Sequence, residues 1–202
     1  KMNILKWIGT MKYAKKLLMA ALILPLGYMV GCSSIPSYSS DYGNARQQVV
    51  GVTLDQQKAD EIGQRFTQAF NRLGSEQFLI DAKALYAEQL FINDTLSQYA
   101  QRADLVEHFR GLNARLSNVD VRLLNTSYYN DSAYVHWRMA YDLRMFGTTR
   151  TMASYGVSEM KINADGKIIF QQDFWDPADG LYRSLPYFGG IYSWVLPFKK
   201  QP

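Results

Sequence analysis

Few side chains in this 202-residue chain could serve as a nucleophile or hold a metal, and that narrows the chemistry at once. Cys32 is the only cysteine, and the two histidines are His108 and His136. One thiol forms no internal disulfide and no cysteine zinc site, and two imidazoles do not make a multi-histidine cage. Neither GxxxxGK[ST] nor GxGxxG occurs, so no phosphate-cradling loop is expected. The expectation is therefore no metal and no cofactor. Any acid–base work falls to carboxylates, tyrosines or water.

His136 sits in a run with strict alternation. Val135, Trp137, Met139, Tyr141, Leu143 and Met145 share one face of the predicted strand, and His136, Arg138, Asp142 and Arg144 share the other. The apolar set faces a core or a cavity. His136 goes with the charged set, toward water or a partner subunit.

The elements that must position such residues are legible over most of the chain. Thr53-Leu54-Asp55-Gln56 reads as a capping box opening a first helix. Ala59, Ile62, Phe66, Ala69, Phe70 and Leu73 then form one stripe, and Gly74 is the expected stop. A second short helix is predicted near 75–86, an extended piece over 89–94, and a third helix near 102–117 with Leu105, Phe109, Leu112 and Leu116 on one side. From Val119 the period becomes two, giving strands near 119–129, 133–146, 149–163 and 167–175. Asn130-Asp131, Gly147 and Asp165-Gly166 supply the turns. Helices followed by an antiparallel meander make an α+β domain over 53–180.

The N-terminal stretch predicts location. Lys12, Lys15 and Lys16 precede an apolar run, Leu17 to Val30, that is too short to span a bilayer. Met29-Val30-Gly31-Cys32 resembles the lipobox of bacterial lipoproteins, which implies a signal peptide over 1–31 and acylation (palmitate among the acyl groups) at Cys32. Initiation at Met2 or at Met11 leaves the same cleavage point. Ser33 after the cysteine resembles lipoproteins sent to the outer membrane of a Gram-negative envelope. Residues 32–52, rich in Ser, Tyr and Gly, read as a lipidated flexible tether with a reach of roughly 25 Å. The five lysines of residues 1–32 come with no Asp or Glu. Removing them from the 22 Lys+Arg leaves 17 against 18 Asp+Glu, so the formal charge of +4 becomes −1. No nucleic-acid partner is expected.

The order of elements resembles the nuclear-transport-factor-2-like superfamily, and within it the SnoaL-like branch. The residues that carry this are Tyr86-Ala87, Phe91-Ile92-Asn93-Asp94, Gly156-Val157-Ser158, Asp165-Gly166-Lys167-Ile168 and, most tellingly, Gln172-Asp173-Phe174-Trp175-Asp176. The resemblance implies a cone-shaped, curved antiparallel sheet wrapped around about three helices, with an apolar pocket in its mouth and often a dimer.

That resemblance also implies site residues. Asp94 matches the proton-shuttling base of the ketosteroid isomerases, although Asn93-Asp94-Thr95 is equally good turn chemistry. Phe66 and Ser158 stand where those isomerases have oxyanion donors, which argues against steroid isomerisation. If Trp175 points into the cone, Asp173, Gln171 and Ile169 share its face, and SnoaL-like cyclases use an inward Asp on this strand. Asp173 is thus the leading catalytic candidate, with Asp94 second. Trp175, Trp137, Tyr141, Ser158 and Gln171 are the expected pocket lining. The epoxide hydrolase mechanism needs an Arg between two inward Asp residues, and alternation turns Arg138 the other way. Asp176-Pro177-Ala178-Asp179 reads as a helix N-cap and first turn.

The last stretch, 181–202, is aromatic-rich and uncharged from Leu185 to Phe198, then ends in Lys199-Lys200. It suits an interfacial anchor, a lid over the cone or a dimer contact. Three functions are compatible with the chain. One is a non-enzymatic envelope lipoprotein that binds a small apolar ligand or a partner. Another is a carboxylate-based isomerase, cyclase or hydrolase acting on a small hydrophobic substrate. The third is a dimerisation module with a filled cone.

Overall fold

A computed structural model describes residues 38–182 of the chain, so Cys32, the leader and the segment beyond 182 lie outside the described residues. Two units divide between Asp41 and Tyr42, and the fold below is that of the second. Its elements are α1 (Tyr38–Gln48, whose first four residues fall in the other unit), α2 (Gln56–Phe70), α3 (Glu76–Leu85), β1 (Tyr86–Asn93), β2 (Gln98–Gln101), α4 (Arg102–Asn113), β3 (Leu116–Tyr129), β4 (Ser132–Met145), β5 (Thr148–Ile162), β6 (Ile168–Trp175) and α5 (Pro177–Gly180).

The fold is α+β, with a curved six-stranded sheet in the order β2-β1-β6-β5-β4-β3. β3 to β6 form the expected antiparallel meander. β1 departs from the all-antiparallel expectation, because it pairs parallel with β6, placing Phe91 beside Phe170 and Asn93 beside Gln172. The hairpin turns use left-handed residues where the sequence marks them, Asn130 at φ 54°, Gly147 at 78° and Gly166 at 72°, and also at Phe146 (49°), which the sequence predicts to end the strand and which instead opens the turn.

α2 buries Ala59, Ile62, Phe66, Ala69 and Phe70. Its N-cap is Asp55, which accepts from Lys58 N at 2.8 Å, and not Thr53. The backbone is still extended at Asp55, at φ −124° and ψ 177°, so the helix cannot begin sooner, and Leu54 N donates to Asn130 O just ahead of it. It also ends before Gly74. The Asn71 side chain donates to Val121 O and accepts from Val121 N, which ties the helix end to β3. Gly63 permits close approach of α2 to the sheet, since a Cβ there would lie 2.7 Å from Thr126 Cγ2. Phe70, Phe78 and Phe109 meet edge-to-face at 4.8–5.8 Å and join α2, α3 and α4 in one core. Each such pair adds about 0.5–1.5 kcal/mol beyond its burial.

The expectation of a flexible tether over 32–52 is corrected at α1, which is helical although it has no apolar stripe. Polar contacts with the sheet hold it. Tyr42 Oη and Arg46 Nε donate to the buried Glu159 carboxylate at 2.7 and 2.8 Å. Lys161 Nζ, also buried, donates to Arg46 O and Val49 O near the helix C-terminus and lies 3.1 Å from Asp131. Burial, helped by the Glu159 carboxylate, pushes the Tyr42 hydroxyl up to about 12.

Candidate functional site

The concave side of the sheet and the helices facing it enclose a cavity of about 280 Å³. Phe66 and Phe70 of α2 and Leu105, His108 and Leu112 of α4 form one wall. Trp137, Met139 and Tyr141 of β4 and Gln171, Asp173 and Trp175 of β6 form the other. Alternation along β4 and β6 produces these sets, since every second residue of a strand reaches the same face. Gly156 pairs with Trp137 across β4 and β5, and a Cβ at Gly156 would overlap the indole ring. The glycine is therefore what seats Trp137.

Asp173 lines the cavity and is held by two converging chains of donors. In one, Trp137 Nε1 donates to Ser158 Oγ at 2.9 Å, and Ser158 Oγ donates to Asp173 Oδ1 at 2.6 Å. In the other, Tyr86 Oη donates to Gln171 Oε1 at 2.9 Å, and Gln171 Nε2 reaches Oδ1 at 2.9 Å and Oδ2 at 3.1 Å. Oδ1 therefore takes two short bonds, while Oδ2 takes one longer one and keeps acceptor capacity. Loss of hydration raises the Asp173 carboxyl to about 7. The two donors pull it down and nearby Asp94 pushes it up, so burial wins over the hydrogen bonds.

Asp94 closes β1 and also lines the cavity. Its Oδ1 accepts from Leu96 N at 2.9 Å and Ser97 N at 2.6 Å, so the turn chemistry is present. Its Oδ2 lies 3.9 Å from His108 Nε2. Burial raises this carboxyl as well, against the pull of the two backbone amides. Two bonds cross between the neighbouring strand ends. Trp175 Nε1 donates to Asp94 O at 2.9 Å, and Thr95 Oγ1 donates to Asp173 O at 2.7 Å.

Of the lining residues expected from sequence, Trp175, Trp137, Tyr141 and Gln171 reach the cavity. Ser158 does not; it stands behind Asp173 as its hydrogen-bond donor, fully buried. Burial raises the Tyr141 hydroxyl. Arg138 pairs with Asp120 at 3.2 Å and does not line the cavity, and His136 is likewise absent from it. Asp176 caps α5, accepting from Ala178 N at 2.8 Å. Among the described residues no three His, Cys, Asp or Glu side chains converge as a metal site.

Sequence reasoning missed Tyr86 and His108. Each left a signal. Tyr86 opens a strand at a motif position, and His108 lies three residues after Leu105 and four before Leu112, on the helix face that meets the cavity.

Residues 64–171 match the family model described as a SnoaL-like domain. No curated protein matches the chain. Among solved structures, an LEH-like epoxide hydrolase from M. tuberculosis superposes with a TM-score of 0.53 at 13% identity, covering 71% of this chain and 98% of its own. A protein of ketosteroid isomerase-like fold from Catenulispora acidiphila, in complex with trimethylamine, gives 0.51 at 16% identity, covering 62% and 94%. A candidate SnoaL-like polyketide cyclase from Shewanella putrefaciens gives 0.51 at 8% identity, covering 60% and 92%. At these identities the likeness is one of fold.

Proposed function

This chain belongs to the SnoaL-like family, and from that premise we propose that its cone takes up a small apolar molecule and that Asp173 moves a proton on it. The observation that carries the reading is the asymmetry of the Asp173 carboxylate. Oδ1 is occupied by Ser158 and Gln171, while Oδ2 retains acceptor capacity in an apolar cavity. A carboxyl titrating at about 7 is half protonated at neutral pH, so it serves equally as acid and base. For a substrate with a carbonyl, Oδ2 removes a proton from the adjacent carbon, leaving an enolate, and returns it at another atom. Tyr141 is a protonated donor on the wall for the oxygen.

This favours an isomerase or cyclase. It does not favour epoxide opening of the kind that needs an inward Arg, because Arg138 is engaged with Asp120. The same proposal has Cys32 lipidated and the domain held at a bacterial envelope membrane, on the strength of Met29-Val30-Gly31-Cys32 behind a lysine-led apolar run. The aromatic stretch within 181–202 and a homodimer belong to it as further attachments.

The test is native mass spectrometry of the chain purified from its own host, followed by exchange of the retained molecule in deuterated solvent. Wild type incorporates deuterium, and Asp173→Asn slows this by about 100-fold or more. An Asp173 titrating near 4 in the unliganded protein, read by carboxyl-resolved NMR, overturns the reading. Mass spectrometry of the N-terminal peptide reads acylation at Cys32.

A further inference from the structure

The charges that line the cavity are uneven. Asp94 and Asp173 both reach it, and no Lys or Arg does among the described residues. The remaining wall is aromatic and aliphatic, with Phe66, Phe70, Phe109, Trp137, Tyr141 and Trp175 supplying ring faces and edges. An anionic ligand would meet two carboxyl groups, with His108 the one basic side chain among the described lining residues. A neutral one would leave the Asp94 carboxylate without a partner from the ligand.

Asp94 is also differently committed from Asp173. Its Oδ1 is spent on two backbone amides of the following turn. Its Oδ2 faces His108 Nε2 at 3.9 Å, too long for a hydrogen bond, and so keeps lone pairs for a ligand. The groups around it are His108 from α4, Ser97 from the turn, Trp175 from β6 through its N–H on Asp94 O, and Asp173 from β6 as a second carboxyl. A carboxylate at the edge of a cavity lined by aromatic rings suits an organic cation, through charge pairing with the acid and cation–π attraction to the rings.

We infer that the ligand of this cone is an organic ammonium ion, its apolar body against the aromatic wall and its nitrogen at Asp94 Oδ2 beside Trp175. The inference deepens the proposed function and rests on the same cavity. It divides the two acids, with Asp173 as the proton carrier and Asp94 as the counter-ion that orients the substrate.

The experiment uses three rigid probes that share one skeleton: adamantan-1-ylmethanamine, adamantan-1-ylmethanol and adamantane-1-carboxylate. Each is titrated calorimetrically into the full chain in nonionic detergent at pH 8, with empty micelles as the blank. At that pH an alkylammonium stays charged. The amine is expected to bind about tenfold or more tightly than the alcohol, with the carboxylate weakest. Asp94→Asn keeps an oxygen for the two backbone amides, so the preference for amine over alcohol should shrink several-fold, and by more than in Asp173→Asn. Asp173→Asn should retain an amine preference.

Equal or tighter binding of the alcohol or carboxylate to wild type overturns the inference. So does an amine preference undiminished by Asp94→Asn, and so does binding of none of the three. Because selectivity is read on wild type, the result does not depend on a variant folding. The proposed function fails separately, through the Asp173 titration in unliganded protein, and that failure would leave amine selectivity intact.

Discussion

Ser158 and Asp173 face each other across the β5–β6 ladder, and the serine hydroxyl donates to Asp173 Oδ1 at 2.6 Å while accepting from Trp137 Nε1. The serine, on β5, thus links a tryptophan of β4 to a carboxylate of β6 along the sheet wall of the cavity. Ser158→Ala removes a donor that favours the charged carboxylate, so Asp173 should titrate above its value of about 7. It also leaves the indole N–H without its acceptor, at a cost of about 1–3 kcal/mol. Carboxyl NMR and urea denaturation read the two effects. An unchanged Asp173 titration would show that the hydrogen bond does not tune the acid.

Asp173 also sets a pH dependence of stability. Its folded value of about 7 lies above the unfolded value near 4, so between these the folded state binds more protons. Stability conferred by the protonated acid is therefore full at the acid end of that window and lost as pH rises through about 7. Asp173→Asn should flatten this loss and be more stable than wild type at pH 8, by on the order of 2 kcal/mol. Denaturant midpoints at pH 5 and pH 8 for both proteins check the sign.

Gly156→Ala should displace the Trp137 indole, because the added Cβ overlaps the ring. Overpacking costs about 1–3 kcal/mol. Trp137 Nε1 then leaves Ser158, which still donates to Asp173 but without the indole N–H behind it, and ligand uptake falls as the wall shifts. Near-ultraviolet circular dichroism of the tryptophans, with binding measured in parallel, is the check.

Arg46→Ala withdraws the cation from Glu159, which is only 1% exposed, and leaves Tyr42 and Tyr134 as its partners. α1 should loosen, with amide exchange over 42–48 accelerating while the β5 core stays protected. The expected cost is about 1–3 kcal/mol, and Glu159→Gln added to Arg46→Ala should recover part of it. Exchange unchanged over 42–48 would mean that other contacts hold the helix.

Phe78→Ala empties the centre of the edge-to-face cluster with Phe70 and Phe109. With Phe78 fully buried, the loss should be about 3–5 kcal/mol. Chemical denaturation measures it, and a loss below about 1 kcal/mol would mean that the helices repack around the gap.

What the sequence exposed was periodicity. The strands of the meander, their left-handed turns and the shared face of Gln171, Asp173 and Trp175 follow from alternation, and the apolar stripe of α2 follows from its three- and four-residue spacing. What it concealed depends on contacts far along the chain. α1 has no apolar stripe and owes its order to Glu159 and Lys161, more than 110 residues away. Those two charges look like a solvated strand face until the helix covers them. β2 is four residues long and polar at both ends, too short to show a period. The parallel pairing of β1 with β6 leaves no local trace, because direction is chosen between strands far apart in the chain. Thr53 satisfies the capping pattern as well as Asp55 does, and what excludes it is the extended backbone that the chain keeps through Asp55.

The bond from Trp175 Nε1 to Asp94 O makes the molecule its own optical sensor. The indole is tied to the backbone of one acid and shares its strand with the other, so a charge placed at the mouth of the cone alters the electric field across the chromophore without any label. Trp137 sits deeper, hydrogen-bonded to the serine that serves Asp173. Of the chain's four tryptophans, these two therefore report on different parts of the cavity, one on arrival beside Asp94 and the other on events at the proton-carrying acid.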